Sequence, residues 1–126
     1  MSLRFLLTLS GSLEALVGVL ALLVPAVPLS VLFGAPAEPV ASAVTRLFGA
    51  AIFSLGFACI AARDNVDSAA GLALCKGMTG YNLLAAGVLV WIGNGLGLGS
   101  LLVWAAAGGH AALGGCFVAA LMRSRR

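Results

Sequence analysis

Apolar residues in this chain neither alternate nor recur on a single helical face. They run on, through residues 3–24, 40–62, 69–92 and 100–122, in stretches of Leu, Val, Ala, Gly, Ile and Phe that are interrupted only by isolated polar side chains. At about 1.5 Å of rise per residue, each stretch is long enough to cross the roughly 30 Å hydrocarbon core of a bilayer as a helix. The pattern therefore predicts an all-α fold, a transmembrane four-helix bundle. Its breaks agree. Pro25 and Pro28 close the first span, and Pro36 and Pro39 bracket the entry to the second, because proline stops helices and is tolerated in their first turn. Arg63-Asp64-Asn65-Val66-Asp67-Ser68 makes a short polar hairpin between the second and third spans, and Gly93-Asn94-Gly95-Leu96-Gly97-Leu98-Gly99 a turn between the third and fourth. Residues 28–34, apolar from Leu29 to Phe33 and ending at Gly34, are too short to span. They predict a short interfacial helix or turn, a lid over the outer end of the bundle.

The first span starts near Arg4, like a secretory signal, but 22 residues exceed the roughly 7–15 of a signal's apolar core. Glu14, near its centre, costs roughly 3 kcal/mol to insert, against roughly 0.5 kcal/mol gained for each Leu, Val or Phe. Thirteen such residues leave insertion favourable. Residues 1–126 are then one four-span membrane domain.

Composition agrees with this class: of 126 residues 62% are hydrophobic and 9% charged, whereas about a quarter are charged in soluble domains. The net charge of +3 does not indicate nucleic acid, since the few basic residues form no stripe and no aromatic residues interleave them. They set topology instead. Arg4, Arg63, Arg123, Arg125 and Arg126 fall on one side and only Glu38 on the other, which puts the N- and C-termini in the cytoplasm. The tail from Arg123 to Arg126 reads as a topology anchor suited to anionic lipid.

Three cysteines, Cys59, Cys75 and Cys116, contain no C-x-x-C pair and give neither a disulfide framework nor a zinc module. With Met78 they offer soft donors of the kind Cu(I) takes, but small apolar packing is the favoured reading. The glycine run at 93–99 follows no strand and precedes no lysine, so it is not a phosphate loop. No cofactor or metal site is expected.

Charged and polar residues inside the spans are the candidate site. Glu14 and His110 fall near the centres of spans one and four, and Tyr81 and Asn82 near that of span three. Arg46 lies about 7 Å to the outer side and Lys76 about 6 Å to the cytoplasmic side. One arrangement pairs Glu14 with Arg46 and completes a hydrogen-bonded site with Tyr81, Asn82 and His110; Glu14 and His110 are then groups able to exchange a proton. In the alternative, Arg46 and Lys76 snorkel to opposite surfaces and the network is structural. Small residues predict the seams. Gly11, Glu14, Gly18 and Ala21 share one face of span one, and Ser42, Arg46, Gly49 and Gly56 one face of span two. These faces are expected to meet. Ala105, Gly108, Ala112, Gly115 and Ala119 form a close-packing face on span four, with His110 pointing roughly opposite.

The order of Gly18 to Pro25, Leu32-Phe33-Gly34, Arg46-Leu47-Phe48-Gly49, Tyr81-Asn82, Trp104 and His110 resembles that of small four-span bacterial membrane proteins of the DoxX type. The resemblance covers nearly the whole chain and implies a four-helix fold in a bacterial inner membrane, with no activity attached. Glu14 is also similar in position to the proton-exchanging glutamate of the small multidrug resistance transporters. The proline-rich stretch, Arg46 and Lys76 depart from that family. The expected role is a small accessory or structural bundle without catalytic activity, in contact with the lipid bilayer and packed as a homo-oligomer or within a larger membrane complex. The alternative is a proton-coupled small-molecule transporter using Glu14 and His110.

Overall fold

The computed structural model describes residues 1–124; Arg125 and Arg126 of the basic tail lie outside the described residues. Five α-helices follow one another: α1 (Leu3–Leu23), α2 (Ala26–Phe33), α3 (Pro39–Ala62), α4 (Ala69–Gly95) and α5 (Leu101–Ser124), with one 3-10 turn at Arg63–Asn65. All but α2 are long and apolar enough to cross a membrane, with mean hydropathies between 1.3 and 2.0. The chain is a multi-pass membrane protein. Helix ends fall within three residues of the apolar runs, α4 extending furthest past its run, to Gly95.

Local chemistry sets these ends. Ser2 and Ser68 accept hydrogen bonds from the amides of Phe5 and Gly71, capping α1 and α4. Pro39 opens α3 at a first-turn position, where a missing N–H costs nothing. Helix α2 closes on Gly34 at φ 62°, with the Ala35 amide donating to the Leu29 carbonyl and the Gly34 amide to Ser30. The Gly34 bond is that of an αL C-cap, which favours glycine because other residues strain at positive φ. Ser100 caps α5 through the Val103 amide and donates its own hydroxyl to the Leu32 carbonyl of α2 at 2.8 Å. One serine therefore ties the start of α5 to the short helix.

The long helices form two hairpins, α1 with α3 and α4 with α5. In the first, the predicted seam is present. A Cβ on Gly56 would stand 2.6 Å from the Ala15 amide nitrogen and from the Gly11 carbonyl oxygen, and one on Gly49 2.6 Å from the Leu22 amide nitrogen. Only glycine allows such approach, and the dispersion gained over the seam holds the hairpin together in lipid, where apolar burial gives little. The predicted seam on α5 is not used in this way. Ala105, Gly108, Ala112, Gly115 and Ala119 are all exposed, and α5 instead buries Val103, Ala107, Gly114, Phe117 and Ala120. Val103 and Phe117 on that second face are fully buried in the bundle, and their packing outweighs the closer approach that the small face offers.

Between the hairpins, packing is confined to one half. Where α1 begins and α5 ends, Leu3, Leu6, Leu7, Cys59, Cys75, Met78, Phe117 and Ala120 fill a continuous core. Toward α2 the hairpins diverge.

Candidate functional site

The divergence has a cause in residue size. Leu6, Leu7, Met78 and Phe117 fill the axis at the packed end, whereas Ala21, Ala85, Ala106 and Gly109 stand around it toward α2. Small side chains on three helices, α1, α4 and α5, cannot meet across the axis. They enclose a cavity of about 670 Å³, covered by α2 through Pro28, Leu29, Leu32 and Phe33. Its size is that of a small-molecule site. Phe48 of α3 and Leu84 and Val88 of α4 line it while being 51%, 72% and 53% exposed. Because α3 and α4 barely touch, the cavity opens sideways there, toward the membrane interior.

Apart from Thr45, the polar side chains lining the cavity are Glu14, Tyr81 and His110. They stand at its closed end, against the packed core. The Tyr81 hydroxyl donates to Glu14 Oε2 at 2.8 Å. The Tyr81 and His110 rings meet edge to face, 5.7 Å between centroids at 85°. Nδ1 of His110 is 2.9 Å from Oδ1 of Asn82, whose Nδ2 donates to the Met78 carbonyl at 2.8 Å. Asn82 is fully buried and Glu14 nearly so. Buried polar groups of this kind are stable only when partnered, and each finds a partner on another helix or one turn away.

Four of the five predicted site residues thus come together: Glu14, Tyr81, Asn82 and His110. Arg46 does not join them. Its guanidinium donates to the Leu22 carbonyl, one of the last carbonyls of α1, which has no partner within its own helix. The interlock of Gly49 with Ala21 and Leu22 explains this, since it sets Arg46 level with the end of α1, beyond the reach of a partnership centred on Glu14. A cation at a helix C-terminus also meets the negative end of the helix dipole. Among the described residues the ion pairs are Arg4 with Asp64 at 2.8 Å and Arg63 with Asp64 at 3.6 Å, both exposed, and neither involves Glu14. Lys76 is exposed on α4.

Cys59 and Cys75 are buried and Cys116 half-buried in or against the packed core. No group of three or more His, Cys, Asp or Glu side chains stands together among the described residues. Two features escaped the sequence pattern. Ser10, one turn before Glu14, is wholly buried and its hydroxyl has no partner among the described residues. The cavity is the other: its sequence signal is the run of alanine and glycine from Ala105 to Gly109, which reads equally well as a helix-packing face.

Compared with protein-family models, curated proteins and solved structures, the chain matches none.

Proposed function

We propose that this chain is a bacterial inner-membrane protein that binds an amphiphilic small molecule between its two hairpins, without catalysing a reaction on it. The observation that carries the proposal is the cavity itself: apolar walls, a sideways opening to the bilayer, and hydrogen-bonding groups only near its closed end apart from Thr45. An apolar body and a polar head are matched by such a site, whereas a water-soluble solute would leave most of its polar surface unpaired. Both chain ends belong in the cytoplasm on the bias of basic residues. The likeness to DoxX-type bundles is part of the same proposal.

Purified protein in lipid nanodiscs tests it. A ligand that binds only the folded state raises stability by roughly 2.7 kcal/mol at a hundred times its Kd. A long-chain alcohol is expected to raise the unfolding midpoint of the wild type, and not of Ala106→Trp, in which the indole fills the cavity. Equal shifts in both proteins would overturn the assignment.

Two observations extend the reading. Glu14 and His110 both line the cavity, which supports proton-coupled movement of the bound molecule. In liposomes, flux driven by a pH gradient and lost in Glu14→Gln is the expected sign of that role. The exposed small-residue face of α5 supports the accessory role, as a surface for a second copy or a larger membrane complex.

A further inference from the structure

Resting on the binding site proposed above, the hydrogen bonds at its closed end specify the head group of the molecule that fits. Asn82 fixes the arrangement. Its Nδ2 is committed to the Met78 carbonyl, and turning the amide over would set Oδ1 against that carbonyl, acceptor to acceptor. Oδ1 therefore faces His110, and an oxygen with no proton can only accept. The His110 nitrogen 2.9 Å away, Nδ1, must carry the proton and donate it. Above pH 7 an ordinary imidazole is neutral and holds one proton. Nε2 is then a bare acceptor on a cavity-lining side chain, and it has no hydrogen-bond partner among the described residues.

Neighbouring groups have the same polarity. The one proton of the Tyr81 hydroxyl is already donated to Glu14 Oε2, leaving the phenol oxygen as an acceptor. Oε1 of Glu14 has no partner among the described residues and, in the ionised acid, also accepts. The second N–H of Asn82 belongs to a residue that is 0% exposed and does not line the cavity. With Glu14 ionised, no donor remains free at the closed end and three acceptors face it; Nε2 of His110 accepts whatever the state of Glu14.

We infer that the cavity selects amphiphiles whose head donates a hydrogen bond, an alcohol or an amine, over those of the same shape whose head only accepts, such as an ether, ester or ketone. A head without a donor leaves Nε2 buried and unpaired beneath the ligand, and sites built around buried acceptors reject such analogues. Asn82 acts here as a positioning residue, by fixing which nitrogen of His110 bears the proton.

A matched pair of probes tests this: 4-nonylphenol and its methyl ether, 4-nonylanisole, differ by one methyl group, which takes the place of the donor proton. In nanodiscs, with the amount of each probe in the bilayer measured, the phenol is expected to bind roughly tenfold tighter, the value of one such hydrogen bond. His110 is the single histidine, so the imidazole ¹⁵N spectrum of uniformly labelled protein reports it alone. It should show Nδ1 protonated and Nε2 bare, with the Nε2 signal moved by the phenol and not by the ether. In Asn82→Ala the proton is free to occupy either nitrogen and the preference should shrink. In His110→Phe it should vanish while the ether still binds. Equal binding of the two probes by the wild type, or a spectrum with the proton on Nε2, overturns the inference and leaves the binding site standing. If neither probe binds, both fall.

Discussion

At the scale of single residues, membrane depth makes each polar group accountable for its hydrogen bonds. Glu14 is stable near mid-span because Tyr81 meets it from another helix. A double-mutant cycle of Glu14→Gln and Tyr81→Phe, followed by unfolding in mild detergent, should give a coupling of roughly 0.6–2 kcal/mol, the range for interhelical hydrogen bonds in membranes; simple additivity would count against the contact. Arg46 serves the end of α1 and not Glu14. Exchanging the two charges, Glu14→Arg with Arg46→Glu, is therefore expected to rescue neither single reversal, as measured by yield of folded protein, whereas rescue would reinstate the ion pair. Ser10 gives the opposite case, a buried hydroxyl without a partner among the described residues. Replacing it with alanine should raise stability by about 1–2 kcal/mol.

At the scale of elements, glycine has two roles that composition cannot separate. Gly18, Gly49 and Gly56 lie where a Cβ would meet backbone of the facing helix at 2.6 Å, whereas Gly80 and Gly108 have open space around them. Gly49→Ala should cost about 1–3 kcal/mol through forced separation of α1 and α3. Gly80→Ala and Gly108→Ala should be neutral or add about 0.5–1 kcal/mol in the isolated chain. Thermal unfolding of each variant checks the contrast. The spans and the α1–α3 seam were legible in the sequence because apolar run length, proline and glycine spacing bear on them directly. The use of α5 was not, because its alanines and glycines occur on several faces and only the large side chains facing it decide which one turns inward. Tyr81, Asn82 and His110 were legible as polar residues at one depth. That Tyr81, and not Arg46, meets Glu14 depended on the register of α1 against α3, to which the seam glycines bring no side chain of their own.

The whole molecule is a bundle packed at one half and open at the other. Large side chains weld the hairpins where α1 begins, small ones leave the space beneath α2, and the polar cluster sits where the two regimes meet. The proposed orientation is checked by a cysteine placed between Asn65 and Ser68 in a background without native cysteines: a membrane-impermeant reagent should label it only from the cytoplasmic side. On the proposed function, the space between the hairpins holds an amphiphile. The most direct measurement is photolabelling in vesicles with a long-chain alcohol carrying a diazirine, with adducts mapped by peptide mass spectrometry. Adducts are expected to concentrate at Val17, Ile52 and Val88, which line the cavity, and to be lost in Ala106→Trp. Adducts no denser there than at Leu47 and Leu101, which are 74% and 84% exposed on the outer faces, and unchanged by the tryptophan, would contradict it.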